Sequence, residues 1–533
     1  MKLNIFPNSI SKKQISSFYF GSADAKQDSL LENSFCLLPG IREIFIGNKT
    51  YILGVKGSGK TAIFEMLKTR KMNVTYNGLP IASSFFMDDE IQFNVLATKL
   101  SQKFVEKNLN DEITNFQFLW EIFFIYNILD QLNKQNLLTD SLRTVYNNWL
   151  VAYGSVEKFS LIDVIKSLKA TVTFQLNDLN QTIIPSLSIE QSSELKTMSL
   201  ENKQNKIVFD LNYIKNEISN YLGQLNQYFC IAIDRLDDYV SGYDYKIQCE
   251  MLTALAKVER SYSKYSSFHF LIFMRPDLFY KIDWTTIGQD KISDETIELT
   301  WNDKTIRELI AKRIYYNYKK IYTSRKISFK EKVLSFFRKE EFPEFENNSD
   351  FHHKLILSLF PEKIFHYNSL GIKEFINILD FYKTHFSLSN EYATPRIIIS
   401  FLHLLMEKYR DKNADESTIL ELQNNKFEVF DNELLLESYK IFQEQLEKNF
   451  LSIDKKQKDL FEKLILKKQT KYKFTYNQIE EMLGKRNGNS IREFLGYLEY
   501  IGYLRNTKTS TTPVERRVYE LPIIFRFVNR KDK

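Results

Sequence analysis

Three short apolar runs stand out in the pattern of hydrophobic and polar positions along the chain. They are Tyr51–Leu53, Tyr228–Ile233 and Phe268–Met274, the last interrupted by His269. Apolar runs without alternation are typical of strands that are buried on both faces. Elsewhere apolar residues recur every three or four positions, as Phe118 and Ile122 do, which predicts helices. Strands that alternate with helices predict an α/β fold, with a parallel sheet covered by helices on both faces.

Weaker patterns extend this picture along the rest of the chain. Further strands are predicted at 72–76, 81–86 and 296–301, and helices over about 245–261 and most of 302–450. A chain of 533 residues is too long for a single hydrophobic core, so several domains are expected. The strands at 51 and 228 lie too far apart in sequence for a compact sheet, which predicts a large helical insertion over about residues 90–225.

The predicted division has four parts. They are a lead-in at 1–49, a sheet core at 50–301 that contains the insertion, an α-helical lid and linker at 302–450, and a C-terminal domain at 451–533.

Composition narrows the class of protein. The chain is 43% hydrophobic and 26% charged, which is ordinary for a globular protein. Its three cysteines are too few and too scattered for a disulfide framework or a zinc site, and they fit a reducing compartment. The N-terminus lacks the pattern of a secretory signal, and no apolar stretch is long enough to span a bilayer. We therefore expect a cytoplasmic protein without a membrane partner.

The segment from Gly54 to Thr61 reads GVKGSGKT and fits the phosphate-binding pattern G-x-x-x-x-G-K-[ST]. It lies between an apolar strand and an amphipathic run, which is the context that this pattern requires. Its glycines allow backbone N–H groups to converge on an anion, and the start of the next helix adds partial positive charge. The alternative is a glycine turn before a surface helix. The predicted nucleotide-contacting residues are Gly54, Lys56, Gly57, Ser58, Gly59, Lys60, Thr61 and Ala62.

This loop predicts binding of a nucleoside triphosphate, taken to be ATP, together with Mg²⁺. Lys60 is predicted to reach the β- and γ-phosphates, and the Thr61 hydroxyl to hold the metal ion. The second metal ligand is expected to be Asp234, because it ends an apolar strand and parallel sheets bind ligands at the carboxyl ends of their strands.

The residues after Asp234 bear on hydrolysis. Asp238, or failing that Asp237, is the candidate that orients a water molecule against the γ-phosphate. An acidic loop that only caps the next helix is the alternative reading for these carboxylates. Arg235 stands where many hydrolysing members of the class have a glutamate, which predicts slow hydrolysis.

Two arginines are candidates to complete the site. Arg275 follows the strand Phe268–Met274 and is predicted to sense the γ-phosphate or to reach a neighbouring subunit. The alternative is an ion pair with Asp277 or another nearby acid. Arg396 follows Thr394 and Pro395, which mark the start of a helix. A cation in that first turn opposes the helix dipole, which favours a role toward a bound anion.

Taken together, these motifs resemble the AAA+/STAND-type ATPases. A closer similarity is to a bacterial P-loop ATPase family whose members carry an N-terminal Phe-Gly and Asp-Ala segment. The further residues that carry it are Phe20-Gly21-Ser22-Ala23-Asp24-Ala25, the strand Ile297–Trp301 and the helix through Ala311-Lys312-Arg313-Ile314. The resemblance implies Lys60 and Thr61 on phosphate and magnesium, Asp234 on magnesium, Arg275 as a first sensor and Arg396 as a lid sensor. It leaves the arginine finger open between Arg260 and Arg275.

The C-terminal domain is predicted to be a winged helix. Residues 451–533 hold 19 Lys and Arg against 10 Asp and Glu, whereas the rest of the chain is slightly acidic. A basic module of this kind favours a polyanionic partner, although winged helices also serve as protein-interaction modules. The residues predicted to contact DNA phosphates are Lys485, Arg486, Arg492, Lys508, Arg516 and Arg517.

The sequence thus predicts an α/β P-loop NTPase core with a large helical insertion, an α-helical lid and a C-terminal winged helix. The expected function is that of a slow ATPase that acts as a switch and couples nucleotide state to homo-oligomerisation or to an effector protein. By resemblance, bacterial antiviral defence is the expected setting. One alternative is an ATP-dependent DNA-binding factor resembling replication-initiator ATPases. Another is a nucleotide-stabilised scaffold that does not hydrolyse ATP.

Overall fold

A computed structural model gives the structure of the chain. It describes residues 6–69, 75–76, 78–87, 112–153, 173–174, 185–186, 211–236, 245–287, 292–324, 342–367, 373–388, 393–413, 418–427, 429–450, 458–468, 471–484, 488–508 and 512–526. The chain forms two compact units. The sheet unit comprises Gly40–Gly54 and Ile63–Glu298, and the helical unit comprises Met1–Pro39, Val55–Ala62 and Leu299–Lys533.

The elements are numbered in chain order. The strands are β1 (Ser9–Ser11), β2 (Tyr51–Leu53), β3 (Thr75–Tyr76), β4 (Leu79–Met87), β5 (Thr173–Phe174), β6 (Pro185–Ser186), β7 (Tyr228–Ile233), β8 (Phe268–Met274), β9 (Thr296–Glu298), β10 (Lys363–Tyr367), β11 (Lys373–Asn377), β12 (Ile419–Glu421), β13 (Lys473–Thr475), β14 (Arg505–Asn506) and β15 (Val518–Glu520). The helices are α1 (Lys12–Ser16), α2 (Leu31–Ser34), α3 (Ile41–Phe45), α4 (Lys60–Lys68), α5 (Glu112–Lys134), α6 (Asp140–Tyr153), α7 (Leu211–Gln224), α8 (Tyr245–Tyr262), α9 (Pro276–Phe279), α10 (Ile292–Glu295), α11 (Asp303–Ser324), α12 (Ser349–Leu357), α13 (Ile378–His385), α14 (Pro395–Lys412), α15 (Asn432–Phe450), α16 (Lys458–Lys468), α17 (Tyr476–Leu483) and α18 (Gly488–Tyr500).

A six-stranded sheet forms the centre of the sheet unit, in the order β3-β4-β7-β8-β2-β9. All neighbouring strands are parallel except β3, which is antiparallel to β4. Every residue of β7 and β8 is buried, which explains why β7 is an unbroken apolar run and why His269 is the one polar residue of β8; both strands have the predicted bounds. The predicted parallel α/β core is confirmed.

Helices cover both faces of this sheet. On one face Phe64 of α4 packs edge-on against Phe86 and Phe273. On the other, Phe124 of α5 packs against Phe270 of β8. The two faces follow from strand geometry, because successive side chains point to opposite sides.

The described part of the chain between β4 and β7 contains three helices, α5, α6 and α7, and the short hairpin β5–β6. Helix α5 packs along α8, and the Trp120 indole donates to the Met251 carbonyl at 3.1 Å. Despite its apolar character, α5 is not a membrane span, and no other described helix is long and apolar enough to be one.

The helical unit contains two small sheets in addition to its helices. β1 pairs with β12, and β10 pairs with β11, each pair antiparallel. The sequence pattern predicted almost only helices over 302–450, so the hairpin β10–β11 is a difference. Its signal is weak because β10 and β11 mix charged with apolar residues, and Phe375 of β11 is 67% exposed.

The last described segment, 458–526, has the order helix, strand, two helices and two strands. β13, β15 and β14 form an antiparallel sheet beside α16, α17 and α18. Thr475 caps α17 in a capping box with Gln478, so this helix begins at Tyr476. The segment packs on the helices before it, where the Tyr503 hydroxyl donates to Glu447 of α15 at 2.6 Å.

Candidate functional site

The segment from Gly54 to Thr61 forms a tight loop between β2 and α4. Gly57 and Gly59 have φ angles of +88° and +100°, a backbone conformation that side-chain-bearing residues avoid. The Ser58 N–H donates to the Val55 carbonyl at 3.1 Å and closes a turn. The Lys60 ammonium reaches back to the same carbonyl at 3.2 Å, so it lies across the loop. Strand, glycine loop and helix therefore follow one another as the motif requires.

Two other parts of the helical unit contact this loop. A Cβ atom placed on Gly57 would lie 2.9 Å from Cβ of Arg396 and 3.1 Å from the Thr394 hydroxyl. On the following residue, the Trp301 indole N–H donates to the Ser58 carbonyl at 2.7 Å. The loop is thus contacted by the start of α14 and by Trp301, which lies just before α11.

The start of α14 has the predicted form. Thr394 is the N-cap residue and accepts from the Ile397 N–H at 3.5 Å, while Pro395 occupies the first turn. Arg396 is exposed although its neighbours Pro395 and Ile397 are buried. The fold therefore brings Arg396 to the phosphate loop, which sequence separation alone could not establish.

We expect Gly57→Ala to weaken binding of ATP by roughly 10-fold or more. The new methyl group would meet the Arg396 side chain at 2.9 Å, and alanine at this φ costs about 1–2 kcal/mol. Calorimetric titration with MgATP measures the effect. The matched control is Gly484→Ala, because Gly484 has a φ of +80° but no atom within 4 Å of the added Cβ. Equal affinities for the two variants would show that contact at Gly57 does not matter.

The carboxyl edge of the sheet gathers three predicted site residues. Gly54, Arg275 and Asp234 follow β2, β8 and β7, which are adjacent parallel strands. The Gly54 N–H donates to the Met274 carbonyl at 3.1 Å, and the Asp234 N–H donates to the Met87 carbonyl at 3.0 Å. Asp234 is buried, and Arg235 beside it has a φ of +61°. Asp237 and Asp238 lie outside the described residues.

Both arginines considered for sensor or finger roles make ion pairs within the sheet unit. Arg275 donates to the two carboxylate oxygens of Asp277, each at 3.1 Å. An ion pair with Asp277 is the alternative to the sensor role that the sequence analysis gave for Arg275. Arg260 donates to Glu295 at 2.8 Å, beside Glu259. Burial raises the pKa of Glu259 to about 7, against the opposing effect of Arg260.

The N-terminal Phe-Gly and Asp-Ala segment is anchored by a buried ion pair. The Arg313 guanidinium of α11 contacts Asp28 at 2.6 Å, and both side chains are 2% exposed. The same guanidinium also donates to the Phe20 carbonyl. Gly21 has no room for a side chain, because an added Cβ would overlap Arg313. Sequence analysis placed Arg313 in a helix but missed this role, since its partner lies far away in the chain.

A small cavity lies within the helical unit, next to the residues that hold the loop. Its volume is about 60 Å³. It is bounded by Trp301, by the first turns of α11 and by α13, with Ala393 on one side. An ion pair between Lys383 and Asp303 at 3.1 Å lies at its wall, and the Tyr382 hydroxyl is buried there without a hydrogen-bond partner among the described residues.

Half of the described basic candidates of the C-terminal segment are already paired. Arg492 binds Glu515 at 2.5 Å, and Arg517 binds Glu499 at 3.3 Å. Lys508 and Arg516 are exposed. Lys485 and Arg486 lie outside the described residues.

The loop fits a triphosphate. Gly57 and Gly59 have left-handed backbone conformations, which shape a concave loop that can bind an anion. Lys60 is the first residue of α4, so the N-terminal end of that helix faces the loop. The buried Ser58 hydroxyl has no hydrogen-bond partner among the described residues. Thr61 lies in the first turn of α4 and Asp234 follows β7 in the sheet unit, and each carries a side-chain oxygen of the kind that Mg²⁺ prefers. The residues that the structure describes form no cluster of three His, Cys, Asp or Glu side chains that would bind a metal ion by themselves.

Sheet order, parallel strands and a glycine loop between β2 and α4 define an α/β P-loop NTPase fold with helical additions. Comparison with solved structures finds similar chains of low identity. Cdc6p from Pyrobaculum aerophilum is 11% identical, covering 97% of this chain and 95% of that chain with a TM-score of 0.31. The Aeropyrum pernix ORC2 protein, in ADPNP–ADP complexes, is 10% identical, covering 93% and 94% with a TM-score of 0.39. The Aeropyrum pernix ORC1 protein in complex with DNA is 8% identical, covering 94% and 93% with a TM-score of 0.35. No protein-family model and no curated protein matches the sequence.

Proposed function

We propose that the chain is an AAA+-type ATPase that binds MgATP at the loop from Gly54 to Thr61 and works as a slow nucleotide switch. The observation that carries the proposal is the contact of Gly57 with the start of α14. A loop that cradles phosphates and also touches a lid helix can report its occupancy to that helix. Contact between the nucleotide loop and a lid helix distinguishes a switch from a protein that only binds the nucleotide.

In this proposal each side chain of the site has its own role in binding the nucleotide and the metal ion. Lys60 binds the β- and γ-phosphates with its ammonium group, and the N–H groups of the loop bind the remaining phosphate oxygens. Thr61 and Asp234 hold Mg²⁺, which when bound neutralises charge on the phosphates. Arg396 extends from the start of α14 to the γ-phosphate, and this contact exists only while the triphosphate is intact. Gly54 and Asp234 share one sheet edge, which supports their action on the same nucleotide.

The lid helix connects to the C-terminal segment through packed helices. α14 packs against α15. On α15, Gln443 donates to the Ile524 carbonyl at 3.1 Å, and Glu447 accepts from the Tyr503 hydroxyl at 2.6 Å. The proposed output is a change in how the C-terminal segment, acting as a winged helix, meets a second copy of the chain or an effector protein.

Two finer parts of the proposal follow from the sequence. Arg235 in place of a glutamate, held in a left-handed conformation, supports slow hydrolysis. The resemblance to bacterial P-loop ATPases supports a setting in antiviral defence. Contact of the C-terminal segment with DNA stays a prediction, because Arg492 and Arg517 already pair with glutamates.

The direct test combines MgATP binding, steady-state turnover and size-exclusion chromatography. We expect the protein to bind MgATP, to turn over at less than about 1 s⁻¹, the lower end of enzyme rates, and to change its elution volume with ATP. Asp234→Asn should lower turnover by roughly 100-fold, since it weakens the hold on Mg²⁺ at the reacting phosphate. Asp140→Asn, an exposed carboxylate change at the start of α6, is the control.

Three outcomes bear on the proposal differently. Absence of ATP binding would refute it. Fast turnover by the purified protein alone would refute the slow switch. ATP-dependent assembly with no turnover would favour the scaffold that does not hydrolyse ATP.

A further inference from the structure

Trp301 makes a contact that no sequence motif assigns to it. It follows the short strand β9 and precedes α11, and it is 8% exposed. Its indole N–H donates to the Ser58 carbonyl at 2.7 Å. One ring carbon, Cζ2, would lie 3.9 Å from a Cβ on Gly59, so the ring also rests against the next residue of the loop.

This hydrogen bond satisfies a carbonyl oxygen of the kind that every anion-binding loop turns away from the anion. A loop that turns its N–H groups inward must turn carbonyl oxygens outward, away from the anion. Ser58 is 1% exposed, so its carbonyl is removed from water and requires a donor from the protein. The Trp301 indole is that donor.

The planarity of the peptide bond transmits the effect to the nucleotide side. In a trans peptide the carbonyl oxygen and the following N–H point in opposite directions. The structure contains no cis peptide bond among the described residues, so the rule holds for the peptide that joins Ser58 to Gly59. Holding the Ser58 oxygen outward therefore turns the Gly59 N–H toward the concave side of the loop.

We propose that Trp301 is a positioning residue, which fixes the Ser58–Gly59 peptide so that the Gly59 N–H is aimed at a bound phosphate. The inference deepens the proposed function and rests on it. Gly59 has a φ of +100°, and its neighbour Gly57 has a φ of +88°, so the backbone here can rotate more freely than at residues with side chains. The Ser58–Gly59 peptide has a glycine on one side and a second glycine just before Ser58, so it would populate other orientations if nothing outside held it.

The test uses Trp301→Phe, which keeps an aromatic ring and removes the N–H. Trp284→Phe is the matched control, because the Trp284 indole donates to the Phe279 carbonyl at 3.1 Å, a residue outside the phosphate loop. We expect Trp301→Phe to bind MgATP roughly 10-fold more weakly than the wild type, the cost of one buried carbonyl left without a donor. Trp284→Phe should bind as the wild type does.

Competition by inorganic tripolyphosphate gives a readout that a purely structural role would not change. Inorganic tripolyphosphate should compete with a fluorescent ATP analogue roughly 10-fold less well in Trp301→Phe, which locates the loss at the phosphates.

The outcomes separate this inference from the proposed function. A wild type that fails to bind MgATP refutes both. A wild type that binds, with Trp301→Phe binding equally well, refutes the positioning role alone. If Trp301→Phe does not fold, a benzothienylalanine at position 301 replaces the N–H by sulfur in the same bicyclic shape. Wild-type affinity in that protein would also refute the role.

Discussion

Lys60→Ala is expected to weaken MgATP binding by roughly 100-fold, about 3 kcal/mol, the upper range for a hydrogen bond to a charged group. The Lys60 ammonium lies across the loop, 3.2 Å from the Val55 carbonyl, and a triphosphate would offer it a far stronger acceptor. Calorimetric titration with MgATP gives the affinity, and size-exclusion chromatography shows whether ATP still changes the elution volume. Both responses should be lost together.

The control for this prediction is Lys56→Ala. Lys56 lies in the same loop and its removal changes the charge by the same amount, but its side chain is exposed and the motif uses only its backbone. We expect its affinity to stay within about 3-fold of the wild type, as for a surface charge change. Equal losses in the two variants would mean that general charge, and not the position of Lys60, attracts the nucleotide.

The second large effect is expected at the buried ion pair of Arg313. Arg313→Ala would leave Asp28 buried without its partner and would also remove a donor to the Phe20 carbonyl. Breaking one side of a buried pair costs about 3–5 kcal/mol. Urea denaturation, followed by circular dichroism and by the fluorescence of the helical unit, measures the loss. The N-terminal segment should also become sensitive to limited proteolysis.

An exposed pair serves as the reference for this measurement. Lys412 lies 2.8 Å from Glu437, with side chains 44% and 47% exposed, so Lys412→Ala should cost less than about 1 kcal/mol. Replacing both members of the buried pair, Asp28→Leu with Arg313→Met, should recover much of the lost stability, since no lone charge is then left inside. If Arg313→Ala unfolds at the wild-type urea concentration, the N-terminal segment is not anchored by this pair.

The parts of the fold that the sequence predicted well are those set by local patterns. β7 and β8 are buried on both faces, so apart from His269 their residues are apolar, and the ends of both strands could be predicted to the residue. Thr394 and Pro395 predicted the start of α14, because capping depends on neighbouring residues. The hairpin β10–β11 was missed, because its strands mix charged with apolar residues inside a helical stretch and Phe375 is exposed.

The candidate site divides along the same line. Glycine spacing, Lys60 and Thr61 could be recognised from eight consecutive residues, and Asp234 from the end of one strand. The residues that contact the loop or pair across the fold could not be recognised from the sequence. Arg313 and Asp28 are 285 positions apart, and Trp301 and Ser58 are 243 positions apart, so no local pattern links them.

By itself, the sequence determined that this protein has a glycine loop of the phosphate-binding pattern in a parallel α/β core, because both depend on residues adjacent in the chain. Only the tertiary structure decided which residues contact the loop and how the candidate sensor arginines are paired. It placed Arg396 against Gly57 and the Trp301 indole on the Ser58 carbonyl, and it paired Arg275 with Asp277. These contacts join segments that are distant in sequence or depend on how a side chain turns, and only packing of the whole chain brings such groups together.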